Sequence, residues 1–170
     1  TNNSVVLTIM SNLGIIKSFN ELGINVIKTT VGDKYVLKEM MSNNYILGGE
    51  NSGHIIQLDY LPTGDGVLAS IMLLNVLTNT NKTLKELTDE LKIYPDKLVN
   101  LKVNDKNVIN NKLVINKVNE FIDEYKDDIQ LVVRASGTED LVRVSCCHED
   151  YDVTNNVINT LVDLIKSIDG

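Results

Sequence analysis

The sequence has few cysteines and no long apolar run, and each of these shortages excludes a class of protein. The two cysteines, Cys146 and Cys147, are adjacent, and no C-x-x-C or Cys/His cluster occurs in the 170 residues. We therefore predict neither a disulfide framework nor a zinc site, and interpret both thiols as strand residues in a reducing compartment. No apolar run reaches the roughly 18 residues of a membrane span, and no basic-then-apolar leader is seen. We expect a cytoplasmic protein that does not contact membranes.

Arginine is the scarcest charged residue. The net charge is −7, which argues against binding to nucleic acid or to an anionic membrane. Of the 16 basic residues only Arg134 and Arg143 are arginine, in a chain rich in Asn, Lys and Ile. Such a composition replaces arginine wherever lysine will serve, so we predict that these two are kept for their planar fork of donors.

The first hundred residues alternate between strand and helix patterns. The predicted strands cover residues 4–10, 24–27, 45–47 and 54–58, and the predicted helices between and after them end at about residues 22, 41, 77 and 91. Repeated β-α-β order with short connections predicts a sheet covered by helices on both faces. We assign residues 1–95 to an α/β/α layered domain with a mixed sheet.

The order of elements changes after Tyr94-Pro95-Asp96. The following patterns predict strands at 97–103, 129–134 and 141–147, and helices at about 111–125 and 153–168. The last two strands are joined by a short polar loop and so predict a hairpin. We assign residues 96–170 to a second, smaller α+β domain with an antiparallel sheet, and place the boundary near residue 95.

The hairpin loop "RASGTEDLVR", residues 134–143, is the first candidate site. It offers Arg134 and Arg143, the hydroxyls of Ser136 and Thr138, and backbone N–H groups around Gly137. Two guanidinium groups, two hydroxyls and a curled backbone suit a phosphate monoester. The alternative is a solvated turn in which arginine pairs with the neighbouring residues Glu139 and Asp140.

The stretch "GGENSGH", residues 48–54, is the second candidate site. A carboxylate such as Glu50 can accept hydrogen bonds from two neighbouring sugar hydroxyls, and Asn51 and Ser52 add an amide and a hydroxyl. His54 is a candidate acid or base. The alternative is that Glu50 is a surface charge and His54 a histidine at a strand edge.

Gly32 and Asp33, in "TTVGDKYV", stand between a strand end and a helix start. Helix N-termini hold anions and loops at sheet ends hold ligands, so we include both residues in the candidate site. The alternative is that Asp33 only caps the helix.

Together, these stretches resemble one family, the α-D-phosphohexomutases. "GGENSGHI" is similar to the sugar-binding loop of the family's third domain, and "RASGTED" with Arg143 is similar to the phosphate-binding loop of its fourth. With "VGDKYVL" and "LDYLPTGDG", the resemblance covers nearly the whole chain in the family's order. It is greatest to the bacterial branch that acts on glucosamine phosphates. The chain departs from that branch at Asn51, where glutamine is usual, and at Ala135 and Asp140, where proline is usual.

The resemblance implies a cytoplasmic bacterial enzyme that moves a phosphoryl group between two positions of a hexosamine. It implies Mg²⁺, a bisphosphorylated hexosamine as activator and intermediate, and a second domain that is TATA-binding-protein-like. The family's phosphorylated serine and aspartate-rich metal loop do not occur in these residues. We therefore expect a monomeric C-terminal part of a longer protein, inactive alone. A relative acting on mannose or glucose phosphates and a non-catalytic phosphosugar-sensing module remain the alternatives.

Overall fold

The computed structural model describes residues 3–170. The chain divides into two compact units. One is formed by the residues up to Ser11 and by Ile15–Lys92, the other by Asn12–Gly14 and Ile93–Gly170. Among the described residues, no helix is both long and apolar enough to cross a membrane.

The first unit contains a four-stranded mixed sheet. In chain order the elements are β1 Ser4–Thr8, α1 Leu13–Glu21, β2 Asn25–Thr29, α2 Asp33–Asn43, β3 Leu47–Gly49, β4 Ile55–Gln57, α3 Gly66–Thr80 and α4 Leu84–Thr88. The strand order is β2-β1-β3-β4, in which β1 pairs in parallel with β2 and β3, and β4 is antiparallel to β3.

Helices lie on both faces of this sheet, as predicted. Successive residues of a strand point to opposite faces. Val6 of β1 packs with Val36 and Met40 of α2. Its neighbours Val5 and Leu7 point the other way, into a groove that residues of α1 and α3 also line.

The third strand differs from its prediction, because it runs through two glycines that we had placed in the loop. A Cβ at Gly48 would lie 2.6 Å from the Met40 sulfur and 2.7 Å from Val36 Cγ1, so α2 packs directly on bare backbone. A Cβ at Gly49 would lie 2.8 Å from the backbone oxygen of His54, which β4 brings close. Both glycines therefore serve the packing of the fold.

The second unit is a three-stranded antiparallel sheet packed against two helices. The strand order is β5-β7-β6, and β6 and β7 form the predicted hairpin. The elements are β5 Asp96–Lys102, α5 Lys112–Tyr125, β6 Ile129–Ala135, β7 Leu141–His148 and α6 Tyr151–Asp169, with 3-10 turns at Lys106–Asn110 and Lys126–Asp128 that were not predicted.

The two cysteines lie on β7 with free thiols and are buried. Cys146 belongs to the main core of the second unit, and Cys147 packs with Leu13 and Tyr94. Burial, followed by the neighbouring Cys147, raises the pKa of Cys146 to about 12. A thiol that stays protonated at neutral pH is not nucleophilic, which agrees with a purely structural role.

Candidate functional site

Four of the predicted site residues come together around the carboxylate of Glu50. The backbone N–H of Gly32 donates to Glu50 Oε2 at 3.2 Å, and the Ser52 hydroxyl donates to Oε1 at 2.6 Å. His54 Nδ1 lies 3.1 Å from the same Oε1 and 3.0 Å from Ser52 Oγ. The loop between β3 and β4 thus gathers a carboxylate, a hydroxyl and an imidazole within hydrogen-bond distance of each other.

Glu50 is not the surface charge of the alternative interpretation. Its side chain is only 11% exposed, whereas that of His54 is 54% exposed. A carboxylate has about four acceptor positions, and three are used here. One position on Oε2 is left for a ligand hydroxyl, and a second opens if Ser52 or His54 turns towards the ligand. The cluster can therefore accept from one or two hydroxyls while Ser52 and His54 stay within reach.

Gly32 takes the helix-capping position that the alternative interpretation gave to Asp33. Gly32 is the N-cap of α2 with φ 125°, a conformation that favours glycine, and Asp33 is the first helical residue. Asp33 Oδ1 accepts from the backbone N–H of Lys34 at 2.8 Å. The negative charge of Glu50 is favourable beside the positive end of the α2 dipole. The contact between Gly32 and Glu50 joins the loop that precedes α2 to the loop between β3 and β4.

Asn51 is placed away from this cluster. Its side-chain amide donates to the backbone oxygen of Met10 at 2.5 Å, and so fastens the loop to the segment after β1. A direct contact between Asn51 and substrate stays a prediction.

The two arginines face each other across the hairpin. Arg134 of β6 is the register partner of Arg143 of β7. Like charges directly opposite each other destabilise a strand pair. Burial, and then the charge of Arg143, lower the pKa of the Arg134 guanidinium. A bound anion would relieve this repulsion.

The alternative interpretation, in which Glu139 and Asp140 of the loop neutralise the arginines, has only weak support. Arg143 Nη2 lies 3.5 Å from Glu139 Oε2, a long contact, and the buried Arg143 Nε has no hydrogen-bond partner among the described residues. Asp140 lies 3.5 Å from the amine of Lys106. Glu139 therefore neutralises Arg143 through one long contact, and Asp140 is directed to Lys106 instead.

The tip of the hairpin loop has backbone N–H groups that donate to no acceptor among the described residues. Ser136 is buried, and its hydroxyl accepts from the N–H of Glu139 at 3.3 Å. Gly137 and Thr138 are exposed, and their N–H groups donate to nothing within residues 3–170. A Cβ on Gly137 would meet no atom within 4 Å, and its φ lies outside the left-handed region, so the expected curl does not depend on glycine. Open N–H groups and guanidinium groups are the donors that suit an anion, and phosphate binding by this loop stays a prediction.

Lys106 is the residue that sequence reasoning missed. Its amine donates to the backbone oxygens of Ser136, at 3.5 Å, and Glu139, at 3.3 Å. It lies in a 3-10 turn that Asp105 caps. The only sequence signal was one lysine in an Asn/Asp-rich turn, which does not distinguish it from the other lysines.

The described residues include no group of three or more His, Cys, Asp or Glu side chains that could hold a metal ion.

The two folded units thus define a class of protein with a carboxylate-centred loop in an α/β/α domain and an arginine-bearing hairpin loop in a smaller α+β domain. The chain belongs to the phosphoglucomutase/phosphomannomutase family. The family's alpha/beta/alpha domain III matches residues 1–94, and its C-terminal domain matches residues 98–163.

Curated relatives share much of the sequence. The phosphoglucosamine mutase of Oceanobacillus iheyensis is 49% identical over 164 residues, which cover 96% of this chain and 37% of that protein. The phosphoglucosamine mutase of Finegoldia magna is 45% identical over 168 residues, with 97% of this chain and 37% of that protein covered. The chain therefore spans little more than a third of the length of these relatives.

Solved structures share the fold. The N-acetylphosphoglucosamine mutase of Aspergillus fumigatus, solved in complex with glucose 1,6-bisphosphate, has a TM-score of 0.80 at 18% identity, with 98% of this chain and 38% of that chain covered. The prediction of an α/β/α mixed-sheet domain followed by a smaller antiparallel-sheet domain is confirmed.

Proposed function

We propose that the complete protein is a phosphoglucosamine mutase, which interconverts glucosamine 6-phosphate and glucosamine 1-phosphate through a bisphosphorylated hexosamine. This chain supplies binding. The observation that carries the proposal is the cross-strand pair Arg134–Arg143, two like charges beside open backbone donors. Relatives that are 49% and 45% identical, both phosphoglucosamine mutases, support the choice of sugar.

The two sites have separate roles in this proposal. Glu50 and Ser52 bind sugar hydroxyls, with Gly32, Asp33 and Asn51 shaping the loop around them. His54 moves a proton through Nε2, because its Nδ1 is engaged by Glu50 and Ser52. A substrate that presents its phosphate from either of two positions needs a sugar site and a phosphate site that accept both orientations.

The phosphate that does not react is bound by the hairpin loop. Arg134 and Arg143 supply charge and paired donors, the Ser136 and Thr138 hydroxyls add single donors, and the N–H of Gly137 completes the set. The serine that carries the phosphoryl group and the residues that hold Mg²⁺ belong to the part of the protein outside this chain. When bound, Mg²⁺ supplies charge stabilisation at the transferring phosphoryl group.

The test is a substrate comparison on the complete gene product. With Mg²⁺ and a bisphosphorylated hexose present, kcat/KM should be higher for glucosamine 6-phosphate than for mannose 6-phosphate or glucose 6-phosphate. A preference for mannose or glucose phosphate would assign the protein to another activity of the family. Binding of all three without turnover would favour a non-catalytic sensing module.

A further inference from the structure

The amino group of the proposed substrate needs a partner that the cluster around Glu50 does not fully supply. Glucosamine 6-phosphate carries at C2 an amine that is protonated at neutral pH, where glucose 6-phosphate carries a hydroxyl. Three acceptor positions of the Glu50 carboxylate are already used, by Gly32, Ser52 and His54. An ammonium group has three donors and binds a carboxylate more strongly than a neutral acceptor. A second carboxylate beside Glu50 would therefore distinguish the two sugars.

Asp33 is a carboxylate that the chain places next to this cluster. It is exposed, is the first residue of α2 and directly follows Gly32. The backbone N–H of Gly32 donates to Glu50 Oε2 at 3.2 Å. The backbone oxygen of Gly32 accepts from the N–H groups of Tyr35, at 3.0 Å, and Val36, at 3.3 Å. Gly32 is thus held on both sides, and this fixes the backbone of Asp33 beside the loop between β3 and β4.

The Asp33 carboxylate has one oxygen available. Its Oδ1 accepts from the backbone N–H of Lys34 at 2.8 Å, and its Oδ2 accepts from no group within residues 3–170. The amine of Lys34 lies 4.8 Å from the centroid of the Tyr35 ring and forms no ion pair with Asp33. Since Gly32 is the N-cap of α2, the helix begins without this oxygen. A ligand can therefore reach Oδ2 without breaking a contact of the fold.

Asp65 is another carboxylate close to the cluster, but it has a structural task. A Cβ on its neighbour Gly64 would lie 3.5 Å from the Cβ and Cδ2 atoms of His54. The Asp65 carboxylate accepts from the backbone N–H of Leu68 at 2.7 Å and so caps α3, a helix of fifteen residues. Turning Asp65 towards a ligand would remove this cap. Asp33 can bind a cation without such a loss.

The charges at this point of the fold favour an ammonium group. The N-terminus of α2 contributes about half a positive charge, which alone would repel a cation. Glu50 and Asp33 together contribute two negative charges and outweigh it. An ammonium group gains from both carboxylates, whereas a neutral hydroxyl gains only its hydrogen bonds.

We propose that Asp33 selects glucosamine 6-phosphate over glucose 6-phosphate by binding the C2 ammonium group through Oδ2. Glu50 and Ser52 then bind hydroxyls that both sugars share. A site that hydrogen-bonds one substituent discriminates against the ligand that lacks it. This inference rests on the proposed function, because it assigns the choice of sugar to one side chain.

Calorimetric titration of the complete protein with each of the two sugar phosphates tests the inference. Asp33→Asn keeps the shape of the side chain and removes its charge. It should weaken glucosamine 6-phosphate binding about tenfold, as expected for the loss of one charged hydrogen bond, and leave glucose 6-phosphate binding nearly unchanged. Asp33→Glu keeps the charge and should retain part of the preference. Asp33→Ser is a second neutral variant, in case Asp33→Asn does not fold.

Asp59→Asn is the matched control. Asp59 is exposed and lies two residues beyond the end of β4, whereas the cluster lies at the start of that strand. The variant removes the same charge and should change neither affinity.

Equal losses of both ligands in Asp33→Asn would overturn the inference, because they would show a structural role. A glucosamine preference that survives in both neutral variants would also overturn it. So would a wild-type protein that binds the two ligands equally well. Turnover of glucosamine 6-phosphate by the same wild-type protein tests the proposed function separately, so the two failures can be told apart.

Discussion

At the scale of single residues, Glu50 is the side chain on which sugar binding depends most in this account. Replacing it with glutamine keeps the shape but puts an amide NH2 group where one carboxylate oxygen now accepts, so that donors would face each other. Glu50→Gln in the complete protein should weaken glucosamine 6-phosphate binding by about 1–3 kcal/mol. Binding of inorganic phosphate should be nearly unchanged. Calorimetric titration of both ligands measures the difference.

Glu90→Gln is the matched control for this change. Glu90 is exposed and lies in the same unit, so the variant removes one negative charge without touching the cluster. It should leave both affinities unchanged. Equal losses of sugar phosphate and of bare phosphate in Glu50→Gln would mean that Glu50 acts through folding or overall charge.

Arg134 and Arg143 should tolerate lysine poorly, although the composition favours lysine elsewhere. An ammonium group keeps the charge but cannot form two parallel hydrogen bonds to a phosphate. Each of Arg134→Lys and Arg143→Lys should cost about 1.5–3 kcal/mol of phosphosugar affinity in the complete protein. Steady-state kinetics and binding of the two variants give the answer, and wild-type values for both would refute a bidentate role.

At the scale of elements, the phosphate loop depends on a residue from a separate turn. Ala135 and Asp140 stand where the family usually has proline, and replacing proline loosens a loop by freeing its backbone. Lys106 binds the backbone at both ends of the tip and can offset that loss. Lys106→Met should increase amide hydrogen exchange at residues 136–140 and weaken phosphosugar binding, by less than Arg143→Lys does.

Lys112→Met, which removes the same charge from an exposed position of α5, is the control and should change neither quantity. Lys106→Arg should restore most of the exchange protection, because arginine can also donate to two carbonyls. Unchanged exchange in Lys106→Met would show that the loop holds its conformation without this contact.

The connection between the two units can be tested by proteolysis. The boundary was predicted at Tyr94-Pro95-Asp96, but Tyr94 is 8% exposed, and its backbone N–H and oxygen both bond to the side chain of Asn12. Ile93 is 75% exposed. Of the two lysines that flank this point, trypsin should therefore cut after Lys92 before it cuts after Lys97, which lies in β5. First cleavage after Lys97 would contradict a division of the chain between Lys92 and Ile93.

Elements whose signal is local could be predicted from the sequence. The Thr-x-x-Glu pattern of Thr83 and Glu86 forms a capping box at the start of α4, and the hairpin of β6 and β7 falls within a residue or so of its predicted bounds. Features that depend on tertiary contacts could not be predicted from the sequence. β3 extends through Gly48 because Met40 and Val36 pack on its backbone, and the role of Lys106 depends on a turn that lies about 30 residues before the loop.

The candidate site likewise has features that could be predicted from the sequence and features that could not. The residue types and their grouping into two loops could be predicted from GGENSGH and RASGTEDLVR. The burial of Glu50, the tether of Asn51 to Met10 and the cross-strand pairing of the arginines depend on strand register and on neighbouring segments. No local pattern encodes those contacts.

At the scale of the whole molecule, we propose that this chain binds the substrate and that the rest of the protein transfers the phosphoryl group. Phosphoryl transfer through a covalent intermediate needs an activated nucleophile, and the metal-assisted reaction needs a metal site. The relatives are more than two and a half times as long as this chain, which leaves room for both.

The most direct test is ³¹P NMR of glucosamine 6-phosphate with Mg²⁺ and a bisphosphorylated hexosamine, recorded with the complete protein and with the 170-residue chain. The complete protein should convert part of the 6-phosphate signal into a 1-phosphate signal. The chain alone should broaden or shift the 6-phosphate signal without converting it, and Arg143→Lys should reduce that effect. Conversion by the chain alone, or no conversion by the complete protein, would contradict the account.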